Sequence, residues 1–194
     1  MIHAEYADKD LVLNILTKSF DTNKSVNYIV KQDDKKTSRL KALMDYSFEM
    51  CFRFGNVYLS EDKKGCALVL YPEKKQTSLK SILLDVKLIL NCIGIENIPK
   101  ALKREGAIKK LQPNEPNYYL WFIGVEPGAQ QSGIGSQLMN EILEDSRQKQ
   151  LPIYLETSTL KNIPWYKKFG FEIYNELDLS YKLFFLKRDT AKAA

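Results

Sequence analysis

The sequence predicts an α/β fold, and three stretches carry that reading. Tyr118 to Val125 is an apolar run that passes through a glycine-containing turn into an amphipathic run, Ile134 to Leu143: strand, turn, helix. Leu151 to Ser158 then reads as a short buried strand. Val57 to Ser60 and Cys66 to Tyr71 read as two strands joined by the polar loop Glu61 to Gly65, a hairpin.

The other elements follow in order. Ile2 to Tyr6 fits an initial strand. Asp8 to Phe20 has Leu11, Ile15 and Leu16 at helical spacing. Asp21 to Lys36 is polar, with Tyr28, Ile29 and Val30 as an apolar interruption. Ser38 to Phe54 is an amphipathic helix, and Gly55 stands where a C-cap glycine would. The stretch from Pro72 to Pro116 is too long for a bare connection and should hold structure of its own. In it, Leu79, Ile82, Leu83, Val86, Leu90 and Ile93 make a helical stripe closed by Gly94, expected to pack on the sheet or to serve as a lid. Pro99 to Leu111 fits a second helix. Phe171 to Leu177 and Tyr181 to Lys187 read as the last two strands. A single domain is expected over residues 1–188, with a frayed tail at 189–194.

Composition narrows the function classes. A chain of 194 residues with 44% hydrophobic content can bury a full core. No apolar run reaches the length of a membrane span, because Asp85, Lys87 and Asn91 interrupt Ser81 to Ile95. The first residues lack the pattern of a signal peptide. Cys51, Cys66 and Cys92 lie in apolar runs and are expected to be buried free thiols, as suits a cytoplasmic location. With His3 as the single histidine and no CxxC pair, neither a metal site nor a cysteine nucleophile with a histidine base is expected. The net charge of +5 comes without a nucleic-acid-binding motif.

The chemistry concentrates at Gln130-Gln131-Ser132-Gly133-Ile134-Gly135. A turn between strand and helix points backbone N–H groups and a helix N-terminus at one place, which suits a phosphate. Gly133 and Gly135 lack a Cβ, so a ligand can approach the backbone closely. A P-loop is excluded, because Ile134 and Gly135 occupy the positions of its Lys and Ser/Thr. A dinucleotide fingerprint fails at Leu138, where its third glycine would stand.

What remains is Q-x-x-G-x-G after a strand ending Ile123-Gly124-Val125-Glu126-Pro127. This resembles the acetyl-CoA motif of the GNAT superfamily of N-acetyltransferases. Downstream, Asn162-Ile163-Pro164-Trp165-Tyr166-Lys167-Lys168-Phe169-Gly170-Phe171 resembles the family's N…Y…GF segment. The short spacing from Asn162 to Tyr166, with Leu155-Glu156-Thr157-Ser158 upstream, is similar to the branch that includes puromycin N-acetyltransferase. The resemblance covers residues 118 to 175 closely, is diffuse over 1 to 72, and is absent from 73 to 112.

The resemblance implies a mixed, twisted sheet flanked by helices; the helical insertion before the cofactor strand is read from the apolar spacing of residues 79–93. It implies acetyl transfer from acetyl-CoA to a primary amine of a small molecule, without metal. Acetyl-CoA and that amine are the expected partners; neither nucleic acid nor a membrane is. Gln130, Gln131, Ser132, Gly133, Ile134 and Gly135 would hold the pyrophosphate through backbone N–H groups, and Ser136 could add a hydroxyl. Ile123, Gly124 and Val125 would pair with the pantetheine arm. Gly124 either permits a bulge or allows close packing. The Val125 N–H could face the thioester carbonyl oxygen. Tyr166 would protonate the leaving thiolate. Asn162 would cap the helix, touch pantetheine, or both. Glu156 shares a strand face with Tyr154 and Ser158; it either meets the amine in the cleft or is a solvated edge residue. Phe20, Asn23, Asn27, Tyr28 and the insertion would shape the acceptor pocket. Two alternatives stay open: an acyl-CoA-binding module without turnover, and a protein or peptide N-acetyltransferase. An unrelated phosphate-binding protein is a further class.

Overall fold

The computed structural model describes residues 1–190; the frayed tail expected at 189–194 lies, from residue 191, outside them. Fourteen elements alternate along the chain: β1 (Ile2–His3), α1 (Lys9–Phe20), α2 (Lys24–Ile29), α3 (Lys36–Phe54), β2 (Gly55–Leu59), β3 (Gly65–Leu70), α4 (Leu79–Leu88), α5 (Ile98–Lys109), β4 (Tyr118–Val125), α6 (Ile134–Lys149), β5 (Ile153–Thr157), α7 (Ile163–Lys168), β6 (Glu172–Asp178) and β7 (Lys182–Arg188). The strands form one seven-stranded sheet in the order β1-β2-β3-β4-β5-β7-β6. Every neighbouring pair is antiparallel except β4 and β5, which are parallel and joined through α6.

Helices cover both faces of the sheet. On one face Val12, Ile15 and Leu16 of α1 and Leu40, Met44 and Phe48 of α3 pack over Leu68 and Phe122. On the other, Met139 and Ile142 of α6 and Tyr166 of α7 pack over Tyr118, Leu120, Leu155 and Leu186. The hydroxyls of Tyr58 and Tyr118 both donate to Asp145 on α6, at 2.8 and 3.0 Å, and so fix that helix to β2 and β4. Glu49 of α3 accepts from Tyr6, Lys9 and Arg53 at 2.6, 2.7 and 2.9 Å. These donors hold its carboxyl down at about 2 and tie α3 to the start of α1.

Gly55 holds the C-cap position of α3, as expected, but not the left-handed conformation common in such caps. It opens β2 with extended backbone. A Cβ there would sit 1.9 Å from the Val69 carbonyl oxygen, so close strand approach requires the glycine. The polar stretch after α1 also holds a helix, α2, whose start is capped by Asn23 accepting from Val26 N at 3.1 Å.

The insertion is helical, as the sequence suggests, but it faces the other way. Ser78 and Ser81 form a reciprocal cap at the start of α4. A wide π turn, Ile89–Ile93, follows and ends at Gly94, whose φ of 80° suits glycine. Ser81 and Leu84 are the buried residues of α4, which packs on α3. Ile93, the last residue of the stripe, is buried, whereas the row of Leu79, Ile82, Leu83, Val86 and Leu90 is exposed. It does not reach the sheet, because α1 and α3 already cover that face.

Candidate functional site

The parallel strands β4 and β5 pair only at Tyr118–Ile153 and Tyr119–Tyr154. Beyond that point β4 continues to Val125 and β5 to Thr157 without pairing to each other. The two strands therefore part and leave a gap in the middle of the sheet.

A bulge accompanies the parting. Leu68 pairs with Phe122 and Val69 with Leu120, so Trp121 has no partner on β3. The extra residue shifts the alternation of β4. Tyr118, Leu120 and Ile123 join the α6 and α7 side, while Tyr119, Trp121 and Phe122 join the α1 and α3 side. The bulge thus lies at Trp121 and not at Gly124, which pairs in register with Cys66. Gly124 serves close packing: a Cβ would stand 3.0 Å from Leu16 Cδ2 and 3.3 Å from Ser19 Cβ, both on α1.

Glu126 N donates to Lys64 O at 2.8 Å. By the alternation of an antiparallel pair, Gly124 then turns its backbone groups toward β3, and Ile123 and Val125 turn theirs toward the gap. The Val125 carbonyl accepts from Ser19 Oγ at 2.8 Å and Gln130 Nε2 at 3.3 Å, which braces the strand end against α1 and the following turn.

That turn runs from Pro127 to the start of α6. Gln131 has a φ of 65° and Gly133 one of 90°. The left-handed region costs a non-glycine residue about 1–2 kcal/mol, a strain typical of ligand-holding turns. Ser132 Oγ donates to Ala129 O at 2.6 Å. Among the described residues, the N–H groups of 131–136 have no backbone acceptor. They gather at the exposed N-terminus of α6, where the helix dipole adds partial positive charge. A Cβ at Gly133 would meet nothing within 4 Å, and one at Gly135 only Val125 Cγ2 at 3.6 Å and Trp165 Cζ2 at 3.8 Å. The space beside these glycines is open to something outside the chain. Ile134 and Leu138 instead press against Gly65, where a Cβ would meet them at 2.8 and 2.9 Å, and so seat α6 on β3. The Ser136 hydroxyl accepts from Trp165 Nε1 at 3.2 Å, which joins α6 to α7.

Tyr166 is buried on the same face as α6, with its ring 5.0 Å from Trp165 and 5.8 Å from Phe171. Burial raises its hydroxyl above the ordinary phenol value. Asn162 occupies the N-cap position of α7, but its side chain does not cap the helix. The expectation of a side-chain cap fails, and Pro164 in the first turn sets the helix start instead.

Glu156 lies on the opposite face from Tyr166, as strand alternation predicts. Its carboxylate accepts from Tyr119 Oη and, at 2.9 Å, from Gln112 Nε2. Burial raises its pKa, opposed by those two hydrogen bonds and by the charge of Arg104. It is half-buried between β4, β5 and the insertion, not a solvated edge residue.

The insertion reaches this same region through Arg104 of α5, which is 8% exposed. Its guanidinium donates to Ser25 Oγ at 2.7 Å, Tyr181 Oη at 3.1 Å and Glu105 Oε1 at 2.7 Å. Tyr181 also donates to Ser25, at 3.1 Å. Tyr28 packs edge-on to Tyr181 at 5.4 Å, with Lys100 Nζ 4.0 Å from its ring centre. Asn23 contacts Thr159 and Ser158 past the end of β5, and Phe20 packs on Phe122. Asn27 turns away, donating to Asp21 O at an exposed position. Arg104, Tyr119, Gln112, Ser25 and Tyr181 carry no sequence signal of their own. Arg104 reads as one more cation in a lysine-rich helix until the fold brings Ser25 to it.

A family profile described as an acetyltransferase (GNAT) domain matches residues 97–173. That stretch contains β4, the glycine turn, α6, β5 and α7. Over that stretch the chain is similar to a GNAT acetyltransferase domain. It is 40% identical over 58 residues to an uncharacterized N-acetyltransferase of Schizosaccharomyces pombe, a match that spans 30% of this chain and 24% of that relative. The likeness to GNAT structures in fold extends beyond that stretch. A Corynebacterium glutamicum structure described as histone acetyltransferase HPA2 and related acetyltransferase superposes with a TM-score of 0.69 at 18% identity, covering 100% of this chain and 97% of its own. Arylalkylamine N-acetyltransferase 2 of Aedes aegypti gives 0.65 at 15% identity, with 97% of both chains covered. The ribosomal-protein-S18-alanine N-acetyltransferase of Escherichia coli gives 0.54 at 13%, covering 100% and 94%. These likenesses carry the fold alone.

Among the described residues, no cluster of three or more His, Cys, Asp or Glu is arranged to hold a metal ion. No described helix is long and apolar enough to cross a membrane. Cys51, Cys66 and Cys92 are free and buried. Burial raises all three thiols, Cys92 up to about 12.

Proposed function

We propose that this protein is an acetyl-CoA-dependent N-acetyltransferase that acetylates a primary amine of a small molecule by direct transfer in a ternary complex. One observation carries the reading. The gap between β4 and β5 has free N–H groups of residues 131–136 beside it on one face of the sheet and Glu156 on the other. Donor and acceptor can then meet through the sheet, each entering from its own side, which supplies the proximity that direct transfer needs.

The residues present fit the donor. The N–H groups of Gln131, Ser132, Gly133, Ile134, Gly135 and Ser136 suit a pyrophosphate, and the glycines leave room for it. Gln130 acts by bracing Val125. Ile123 and Val125 offer backbone groups to the pantetheine amides, and the Val125 N–H faces the place where charge develops on the carbonyl oxygen. Asn162, with its side chain unused by the helix, would contact that arm. Acetyl-CoA supplies an activated thioester whose acyl carbon an amine can attack.

Glu156 receives the amine. An alkylammonium with a pKa near ~10.4 is neutral in about one molecule in a few thousand at pH 7. A carboxylate with a raised pKa both attracts the cation and takes its proton, directly or through water. Tyr166 then acts on the departing sulfur. Because burial holds its phenol above a thiol's value of ~8–9, it stabilises the thiolate by donating a hydrogen bond more readily than by surrendering the proton. The short Asn162-to-Tyr166 spacing supports a place near the branch that includes puromycin N-acetyltransferase. The buried free thiols suit the cytoplasm.

The deciding experiment is an amine-library screen that follows thiol release from acetyl-CoA. Turnover with a small amine is expected. CoA binding without thiol release across the library would favour a binding module. Release only with peptides bearing a free amine would favour a protein acetyltransferase.

A further inference from the structure

The charge of the chain is unevenly placed. Residues 73–112 hold nine Lys and Arg against four Asp and Glu, a surplus equal to the net +5 of the whole sequence, so the remainder is balanced. The same insertion carries the exposed apolar stripe. Leu79 is 83% exposed, Leu83 61% and Leu90 56%, with Ile82 and Val86 between them.

At about 100° per residue, Leu79, Ile82, Leu83 and Val86 of α4 fall within a sector of about 100°. Lys80 and Lys87 border that sector, and both are exposed. Asp85, the one acid on the helix, borders the opposite edge, where it accepts from Tyr46 Oη at 2.8 Å. Ser81 and Leu84 face inward. The outer side of α4 is therefore an apolar ridge with lysines along one edge and, at the other, a carboxylate held by Tyr46. Contiguous apolar surface of this kind marks an interaction site.

The chemistry selects the occupant. A second copy would set one lysine-rich insertion against another, and like charges in apposition oppose docking. Protein interfaces favour aromatic anchors and are depleted in Lys, yet residues 73–112 contain no Phe, Tyr or Trp and eight Lys. Leu, Ile and Val beside Lys is the composition of a helix lying in the interface of a bilayer with anionic headgroups. We infer that the outer face of α4 docks the protein on an anionic membrane surface. The absence of a spanning run bears on insertion across a bilayer and not on this mode, which needs only one helix face. The inference does not depend on the proposed acetylation.

Flotation of the full chain with phosphatidylcholine vesicles, with and without phosphatidylserine, tests it. Binding is expected to the phosphatidylserine vesicles and should weaken as salt rises. Leu83→Asp with Leu90→Asp should lower the apparent affinity at least about tenfold. Lys80→Gln with Lys87→Gln should lower it by about fivefold per lysine. All four positions are exposed, so thermal melts should match the parent protein, and the lysine variant gives an independent readout should the aspartate variant melt early. Failure to bind phosphatidylserine vesicles at low salt, or equal binding by both variants, would overturn the inference. So would a concentration-dependent dimer in sedimentation velocity that Leu83→Asp abolishes, since that places a second copy on the ridge.

Discussion

Tyr119 donates its hydroxyl to Glu156 at the point where β4 and β5 lose their pairing. The bond joins the last paired residue of one strand to the first diverging stretch of the other. It holds a carboxylate at the opening while Gln112 holds it from the insertion side.

Glu156→Gln separates chemistry from stability. Burial raises the pKa of Glu156 in the folded protein, so the fold is favoured while the carboxyl is protonated, below the usual carboxylate range. That advantage is lost as pH rises through the raised folded value. At pH 7 the Gln variant should therefore be as stable as the parent or more so. As the amine's proton acceptor, Glu156 should give kcat/KM an acid limb above the usual carboxylate range. The Gln variant should lose that limb and fall about ten- to a hundredfold. pH–rate profiles and thermal melts measure both; an unchanged profile would remove Glu156 from the chemistry.

Tyr166→Phe keeps the ring packed between Trp165 and Phe171 and removes only the hydroxyl. Single-turnover rates should fall roughly ten- to a thousandfold. Hydrogen-bond donation to a thiolate that leaves well points to the lower end of that span. kcat and kcat/KM should fall alike. Full activity from pH 6 to 9, with product release shown not to limit turnover, would contradict the role.

Gly135→Asp places a carboxylate beside the free N–H groups of α6. Its Cβ meets only ordinary contacts, at 3.6 and 3.8 Å, so the protein should fold. CoA affinity should drop more than about tenfold, from charge repulsion and lost space together. Calorimetry that finds undiminished affinity in a folded variant would move the cofactor elsewhere.

Arg104→Ala removes the guanidinium that joins α5 to Ser25 and Tyr181, which can still pair with each other at 3.1 Å. Loss of these buried bonds should cost about 1–3 kcal/mol in urea melts. Amine KM values should change several-fold while CoA affinity stays within about twofold. A matching loss of CoA affinity would make Arg104 a scaffold residue for the whole domain.

The legible parts of the molecule are local. β4 is bounded in sequence as in the fold, because eight apolar residues between turn signals leave little choice. The glycine turn announces itself by residue type. The extended backbone of Gly55, the bulge at Trp121 and the exposure of the α4 stripe escaped the sequence reading for one shared reason. The closeness of β3, the extra residue opposite Leu68 and Val69, and the prior covering of the sheet by α3 are relations between distant segments. Glu156 illustrates the boundary: alternation fixes its face, but Tyr119, Gln112 and Arg104 meet it only after folding.

The chain has two tryptophans, and they stand on opposite faces of the sheet. Trp165 touches Ser136 beside the glycine turn, whereas Trp121, displaced by the bulge, lies 6.2 Å from the ring of Tyr46 on the α1 and α3 side. Their emission is thus a pair of built-in optical reporters. A Trp121→Phe protein would signal events at the turn, a Trp165→Phe protein events on the Glu156 side, and order of addition in a stopped-flow instrument could be read from unlabelled protein.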